Sequence, residues 1–233
     1  MKSWEAVGTI GVLGALLATP AAHAAPLPGF ELAGESAHFA FYSRPGSRSS
    51  VEATSTERKI ARIADSLGVS DVPRSDFYCY ESAGDVAAVT GLYAGGVTYP
   101  ALGQIHSTDG ARDHEIVHRV AFLLGNPGPF FQEGLAVALG DAGKWQGKSV
   151  DRVAKDLTRG ATLPALIAGF DSSDPRMGYA VAGSFMRWLI KRHGLARVAT
   201  FFRECHNGPA AAAFDTVFGI DLARAGATWV SEL

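Results

Sequence analysis

The segment from residue 113 to residue 124 constrains this chain most, because it places histidine and glutamate in an otherwise apolar helix. Its sequence, DHEIVHRVAFLL, contains the pattern His-Glu-x-x-His between His114 and His118. Residues i and i+4 of an α-helix lie about 6 Å apart on one face, so their two imidazoles can bind one metal ion. An apolar helix is buried, and buried polar side chains need partners. A zinc ion would be such a partner for His114 and His118.

The pattern is short, so its surroundings have to be weighed. In a chain of this composition it arises by chance about once in a hundred sequences. The alternative is a secreted globular domain without a metal, in which the histidines and Glu115 are solvated. The apolar residues that follow, from Ile116 to Leu124, favour a buried helix and therefore a metal site.

A third ligand is expected outside this helix. A metzincin would carry histidine six residues after the second ligand, where this chain has Leu124, and that class is excluded. The next segment, FFQEGLA, places Glu133 early in a second helix that begins near Pro129. From His118 the first helix rises about 9 Å to its end, and the second returns about 6 Å to Glu133. An antiparallel pair of helices, closely packed at Gly134, therefore brings Glu133 back to the histidines.

The two segments together, HEIVH and FFQEGLAVALG, resemble the gluzincin clan of zinc peptidases and, more narrowly, the compact bacterial peptidase MA-like proteins. The usual Trp-Leu before Glu-Gly in that family is Phe130-Phe131 here. Stretches 179–194 and 218–229 are also similar, and the resemblance covers about residues 95–233. It implies an α+β, zincin-like fold, in which a small mixed-sheet N-terminal lobe with the active-site helix is followed by a helical C-terminal lobe.

The resemblance also implies an activity. We expect an exported zinc-dependent peptidase that hydrolyses peptide bonds by a zinc-activated water, with Glu115 as general base. Tyr179, at the start of a helix over 179–193, is expected to donate to the oxyanion, and His106 is a weaker candidate for that role. The strand at 101–106 would be the edge that binds an extended peptide. The motif Gly-x-Met-Glu-Asn of aminopeptidase N-like enzymes is absent from the sequence.

Two other functions remain open at this point. One is a zinc hydrolase of another amide bond, such as a cell-wall peptide amidase. The other is a zinc-bearing binding module without activity, although zinc does not need Glu115 as a ligand.

The first 24 residues are typical of a secretory signal peptide. A basic start is followed by an apolar stretch over 6–19 and by the small-residue cleavage site Ala-His-Ala at 22–24. We therefore expect a secreted or periplasmic protein that consists of one zincin-like domain, residues 25–233. Cys79 and Cys205 either form a disulfide there or remain free thiols.

The composition of the chain limits the classes of binding partner that are expected for it. The net charge of −2 gives no basic surface for nucleic acid. No later segment is apolar over a span long enough for stable membrane insertion. A peptide or protein substrate is the expected partner, and the sequence does not define the oligomeric state.

Local patterns predict the elements around the motif. Strands are expected at 37–42, 76–80 and 97–106, the last one interrupted or bent near 100–103. Helices are expected at 57–67, 85–90, 109–124, 129–140, 149–157, 179–193, 195–205 and 221–232.

Overall fold

The computed structural model describes residues 26–158, 160–172, 175–206 and 209–233. The expected signal peptide, residues 1–24, lies outside them. The described residues form a mixed α+β structure in which a small sheet is built by the first half of the chain and the second half is mainly helical. The predicted α+β class is therefore confirmed. Among the described helices none is both long enough and apolar enough to cross a membrane.

The main sheet has five strands in the order β1-β2-β3-β5-β4. Its strands are β1 (Glu31–Glu35), β2 (Phe39–Ser43), β3 (Ser75–Cys79), β4 (Gly96–Tyr99) and β5 (Gln104–Ser107). The three inner strands are parallel, while β1 and β4 run antiparallel to their neighbours at the two edges. A separate short hairpin is formed by β6 (Lys144–Trp145) and β7 (Lys148–Ser149).

Ten α-helices are present in the described part of the chain. They are α1 (Ala53–Leu67), α2 (Ala83–Thr90), α3 (Asp113–Leu124), α4 (Pro129–Leu139), α5 (Val150–Leu157), α6 (Leu163–Ala168), α7 (Pro175–His193), α8 (Leu195–Glu204), α9 (Ala210–Phe218) and α10 (Leu222–Ser231). All eight predicted helices match one of these to within four residues at each end, whereas α6 and α9 were not predicted. The largest differences are at the starts of α1, α3 and α7, each of which lies four residues from its predicted position.

The alternation of side chains along the strands divides the sheet into two faces. Phe41, Phe77 and Ile105 belong to the large core that also contains the apolar residues of α1 and α3. The neighbouring Tyr42 and Tyr78 belong to a smaller cluster on the other face. The metal-motif helix α3 therefore lies on the face of Ile105.

The predicted strand over 97–106 is two strands. Pro100 begins a short 3-10 turn, and Gly103 ends it with a φ of 65°, a value that favours glycine. The chain reverses there, and β4 pairs antiparallel with β5. The predicted interruption near 100–103 is thus present, and its consequence is a hairpin.

Helix α3 begins at Asp113 and not near residue 109. Ser107 completes β5, and its hydroxyl accepts a hydrogen bond from the Asp109 N–H at 3.1 Å. The Asp109 carboxylate in turn accepts from the Ala111 N–H at 3.0 Å. The side chains of Ser107 and Asp109 therefore stabilise the turn before the helix.

Gly134 allows close packing of a different pair of helices from the predicted pair. A Cβ at this position would lie 2.6 Å from the Ala182 carbonyl oxygen of α7. On the facing side, a Cβ on Gly183 would lie 2.4 Å from Val137 Cγ1 of α4. The two glycines thus allow α4 and α7 to approach closely, whereas the sequence suggested a close approach of α3 and α4.

Both cysteines are free thiols. Cys79 is buried in β3, and burial raises its pKa to about 12. Burial also raises the pKa of Cys205, which lies after α8, to about 11. Of the two possibilities left open by the sequence, the structure contains the unpaired one.

Candidate metal centre

Helices α3 and α4 bring three potential metal ligands together. The Nε2 atoms of His114 and His118 lie 3.1 Å apart, and each lies 3.2 Å from Oε2 of Glu133. The ligand atoms of these three residues form the group that could bind a metal ion among the described residues. The return of the chain through residues 125–128 produces this convergence, as the helix geometry predicted.

The donor set and its spacing fit zinc. Two imidazole nitrogens and one carboxylate oxygen are ligands that zinc accepts, and three protein ligands are usual where a fourth position serves chemistry. Bonds of about 2.0–2.1 Å in a tetrahedron separate neighbouring ligand atoms by about 3.3 Å. The observed separations of 3.1–3.2 Å are close to that value.

The histidines and the carboxylates of the cluster stabilise each other's charged forms, as the pKa shifts of His114 and Glu133 indicate. Burial by itself lowers the pKa of His114, but hydrogen bonds to Asp141 and Glu133 outweigh it and raise that pKa. Burial likewise favours protonation of Glu133, while His118 and His114 more than compensate and lower its pKa. Glu133 is therefore a carboxylate, the form that binds a metal.

Asp141 is a member of the site that the sequence analysis missed. Its Oδ2 lies 2.7 Å from Nδ1 of His114, so the imidazole presents Nε2 to the cluster. Gly140 makes this contact possible, because a Cβ there would lie 2.7 Å from the backbone N and Cα of His114. The only signal in the sequence was an acidic residue directly after the Glu133 helix.

Glu115 is buried, with 4% of its surface exposed, and is held against the outer strand β4. The Thr98 hydroxyl lies 2.8 Å from Glu115 Oε2 and 3.2 Å from the Glu115 carbonyl oxygen. The other carboxylate oxygen faces Gly96, where a Cβ would lie only 2.4 Å away. The Arg112 guanidinium lies 3.8 Å from this same Oε1. Strand and helix thus fix the position of the carboxylate.

Tyr179 lies beside the three potential metal ligands. Helix α7 begins at Pro175, so Tyr179 is one turn inside the helix and not at its start, as the sequence suggested. Its ring centroid is 6.4 Å from that of His114 and 4.7 Å from that of Trp145. Burial and the Glu133 carboxylate, with which its hydroxyl hydrogen-bonds, raise the pKa of Tyr179. The phenol is therefore neutral and can donate a hydrogen bond at this site.

His106 does not belong to the cluster. Its neighbour Ile105 faces α3, so the alternation of β5 turns His106 to the other face of the sheet. There Nδ1 lies 2.7 Å from the Tyr80 hydroxyl, and the ring stacks on Tyr78 at 5.0 Å. The prediction of His106 as an alternative oxyanion donor is wrong for this reason.

The edge strand of the sheet near α3 is β4 and not the predicted strand at 101–106. β5 pairs with β3 on one side and with β4 on the other, so it has no open edge. β4 is the outer strand, and it carries the Thr98 that contacts Glu115. The strand of the 101–106 segment lies one place further inside the sheet than predicted.

Comparisons with known proteins add no assignment. No protein-family model matches the chain, and no curated protein matches it significantly. The residues of the site and their geometry are therefore the basis for assigning a function to this chain.

Proposed function

We propose that this chain is an exported zinc-dependent peptidase of the gluzincin type, with zinc bound by His114, His118 and Glu133. The observation that carries the proposal is the approach of two imidazole nitrogens and one carboxylate oxygen to within 3.1–3.2 Å of one another. The proposal includes a zincin-like fold. An HExxH helix packed beneath a small mixed sheet whose outer strand is antiparallel supports that part.

The chemistry follows from the groups around the cluster. Bound zinc would supply a Lewis acid that polarises a carbonyl and lowers the pKa of water. Glu115 would accept a proton from the attacking water on its carboxylate and deliver that proton to the leaving amine. Thr98 would hold the carboxylate in position, and Asp141 would orient His114. Tyr179 would donate its hydroxyl proton in a hydrogen bond to the developing oxyanion.

Two alternatives use the same ligands. A zinc hydrolase of another amide bond, such as a cell-wall peptide amidase, would share the metal, Glu115 and export. An inactive zinc-bearing module would need the ligands alone. We favour a hydrolase because Glu115 is buried and specifically held although it is not one of the three ligands.

The test compares wild type with Glu115→Gln on quenched-fluorescent peptide libraries and on cell-wall muropeptides. We expect wild type to cleave linear peptides, and the variant to bind zinc, remain folded and cleave nothing, because an amide cannot accept the proton. Cleavage of muropeptides alone would favour the amidase. Equal cleavage by both proteins would remove Glu115 as the base, and zinc binding without any cleavage would favour the inactive module.

A further inference from the structure

A groove of about 760 Å³ is connected to the surroundings of the metal cluster through Trp145, which lines it. The β6–β7 hairpin, one side of α5 and Met177 of α7 form its walls. Its surface is mainly apolar, with contributions from Trp145, Val153, Leu157 and Met177. Lys148, Arg152 and Asp156 bring both charge signs to the same groove. A groove of this kind favours a ligand with a large apolar group and does not discriminate by the net charge of the ligand.

Trp145 is shared by the groove and the metal cluster. Its ring centroid lies 6.1 Å from that of the ligand His114 and 4.7 Å from that of Tyr179. Its indole N–H is buried and has no hydrogen-bond partner within the described residues. The groove therefore begins at a ring that also lies beside the proposed ligand His114 and beside Tyr179.

The hairpin that carries Trp145 is conformationally strained. Its turn residues Gln146 and Gly147 have φ values of 50° and 76°, and just before the hairpin Ala142 has a φ of 52°. Ala142 and Gln146 are the non-glycine residues with positive φ in the described chain, and both flank Trp145. Such a conformation is costly for residues other than glycine, and it is often found at functional sites. Such conformations persist only where the surrounding structure enforces them, which makes the segment that carries Trp145 a candidate part of the site.

Met177 also lines the groove, and 44% of its surface is exposed. A groove lined by both an exposed methionine and a tryptophan offers an adaptable apolar surface that suits a flat aromatic ring. We propose that this groove binds a large apolar side chain of the substrate, aromatic in preference to aliphatic, close to the bond that is cleaved. This inference rests on the proposed peptidase function and assigns its substrate class.

The experiment measures binding, separately from cleavage. The zinc-loaded Glu115→Gln protein is titrated with fluorescein-labelled nine-residue peptides of alanine and glycine that differ only in a central Phe, Leu, Ala or Asp. Fluorescence anisotropy gives each Kd. We expect the Phe peptide to bind at least about tenfold more tightly than the Ala peptide, as burial of an aromatic side chain predicts, with the Leu peptide between them.

The decisive variant is Met177→Glu, which places a carboxylate in the groove outside the metal cluster. It should reduce the Phe-over-Ala preference to within about twofold while zinc content and melting temperature stay unchanged. The matched control is Leu32→Gln, an exposed apolar residue on β1 at the opposite edge of the sheet, which should keep the full preference. A Met177→Ala variant, which adds no charge, should give an intermediate preference.

The result that overturns the inference is equal affinity for the Phe and Ala peptides, absence of peptide binding, or a preference that survives Met177→Glu. Cleavage of peptides by wild type is scored independently. If wild type cleaves peptides and Met177→Glu has no effect on preference, the groove assignment fails and the peptidase proposal stands. If the groove-dependent preference is found without any cleavage by wild type, the peptidase proposal fails and the binding groove stands.

Discussion

The hydroxyl of Thr98 lies 2.8 Å from Oε2 of Glu115 and connects the outer strand β4 to the metal-motif helix α3. Hydrogen bonds to a charged carboxylate are stronger than those between neutral groups. The contact holds the Glu115 carboxylate in one position. The proposed ligands His114 and His118 lie on successive turns of the same helix, so the position of the carboxylate relative to them is also fixed. We infer that Thr98 is a positioning residue for the proposed base.

Thr98→Val removes the hydroxyl with little change in shape, and we expect kcat to fall about tenfold or more with a nearly unchanged KM. Zinc content and melting temperature should remain those of wild type. Thr98→Ser, which keeps the hydroxyl, should restore most of the activity. An unchanged kcat in Thr98→Val, measured on a peptide that Glu115→Gln does not cleave, would contradict the positioning role.

Asp141→Asn tests the contact with His114. The amide cannot stabilise the imidazole as the carboxylate does, and loss of such an outer partner weakens metal binding by about 10–100-fold. Competition with a fluorescent zinc chelator measures the change. Asp71→Asn, at an exposed aspartate away from the cluster, is the control and should leave the affinity unchanged. A zinc affinity of Asp141→Asn equal to that of the control would show that this contact does not support the metal.

Tyr179→Phe removes one hydroxyl beside Glu133. If that hydroxyl stabilises the oxyanion, turnover falls by roughly ten- to a thousandfold while zinc content stays near one per chain. Tyr93→Phe is a suitable control because 83% of Tyr93 is exposed. Turnover within twofold of wild type would assign Tyr179 to packing, and loss of zinc would instead assign it to the support of Glu133.

The three proposed ligands could be found in the sequence because their geometry is local. His114 and His118 are related by one helical turn, and a short connection determines where Glu133 returns. Asp141 could not be found in this way. Its approach to His114 depends on the contact of Gly140 with the first residues of α3, which is a tertiary relationship.

His106 shows the opposite case, because the sequence contained the information that excludes it. Ile105 is the apolar residue of β5 that faces the core, and the next residue of a strand must face the other way. The prediction failed because the alternation of faces was not followed along the interrupted or bent strand predicted for 97–106. Strand β1 was missed because its residues, ELAGE, are largely exposed and show no apolar alternation.

The buried position of His106 has a consequence for stability. Burial lowers its pKa to about 4, and the groups that contact the ring are Tyr78, Tyr80 and Tyr99. In the unfolded chain a histidine titrates near pH 6.5. As the pH falls from about 6.5 to about 4, the unfolded state therefore binds a proton that the folded state does not, and this residue's contribution decreases the free energy of unfolding by about 3 kcal/mol.

Urea unfolding of wild type and His106→Gln between pH 7 and pH 4 measures this contribution. Other titrating groups are common to both proteins and cancel in the difference. The stability of wild type relative to the variant should decrease through that window and change little at higher pH. A difference that does not depend on pH would contradict the assignment of a buried, neutral His106.

The most direct test of the account is the zinc content of the protein after purification without chelators. We predict about one zinc per chain, measured by elemental analysis, and its loss when His114, His118 or Glu133 is replaced by alanine. The metal-free protein should also unfold at lower temperature than the zinc-loaded one. Absence of zinc from wild type, or full zinc content in a variant that lacks all three side chains, would contradict the central claim.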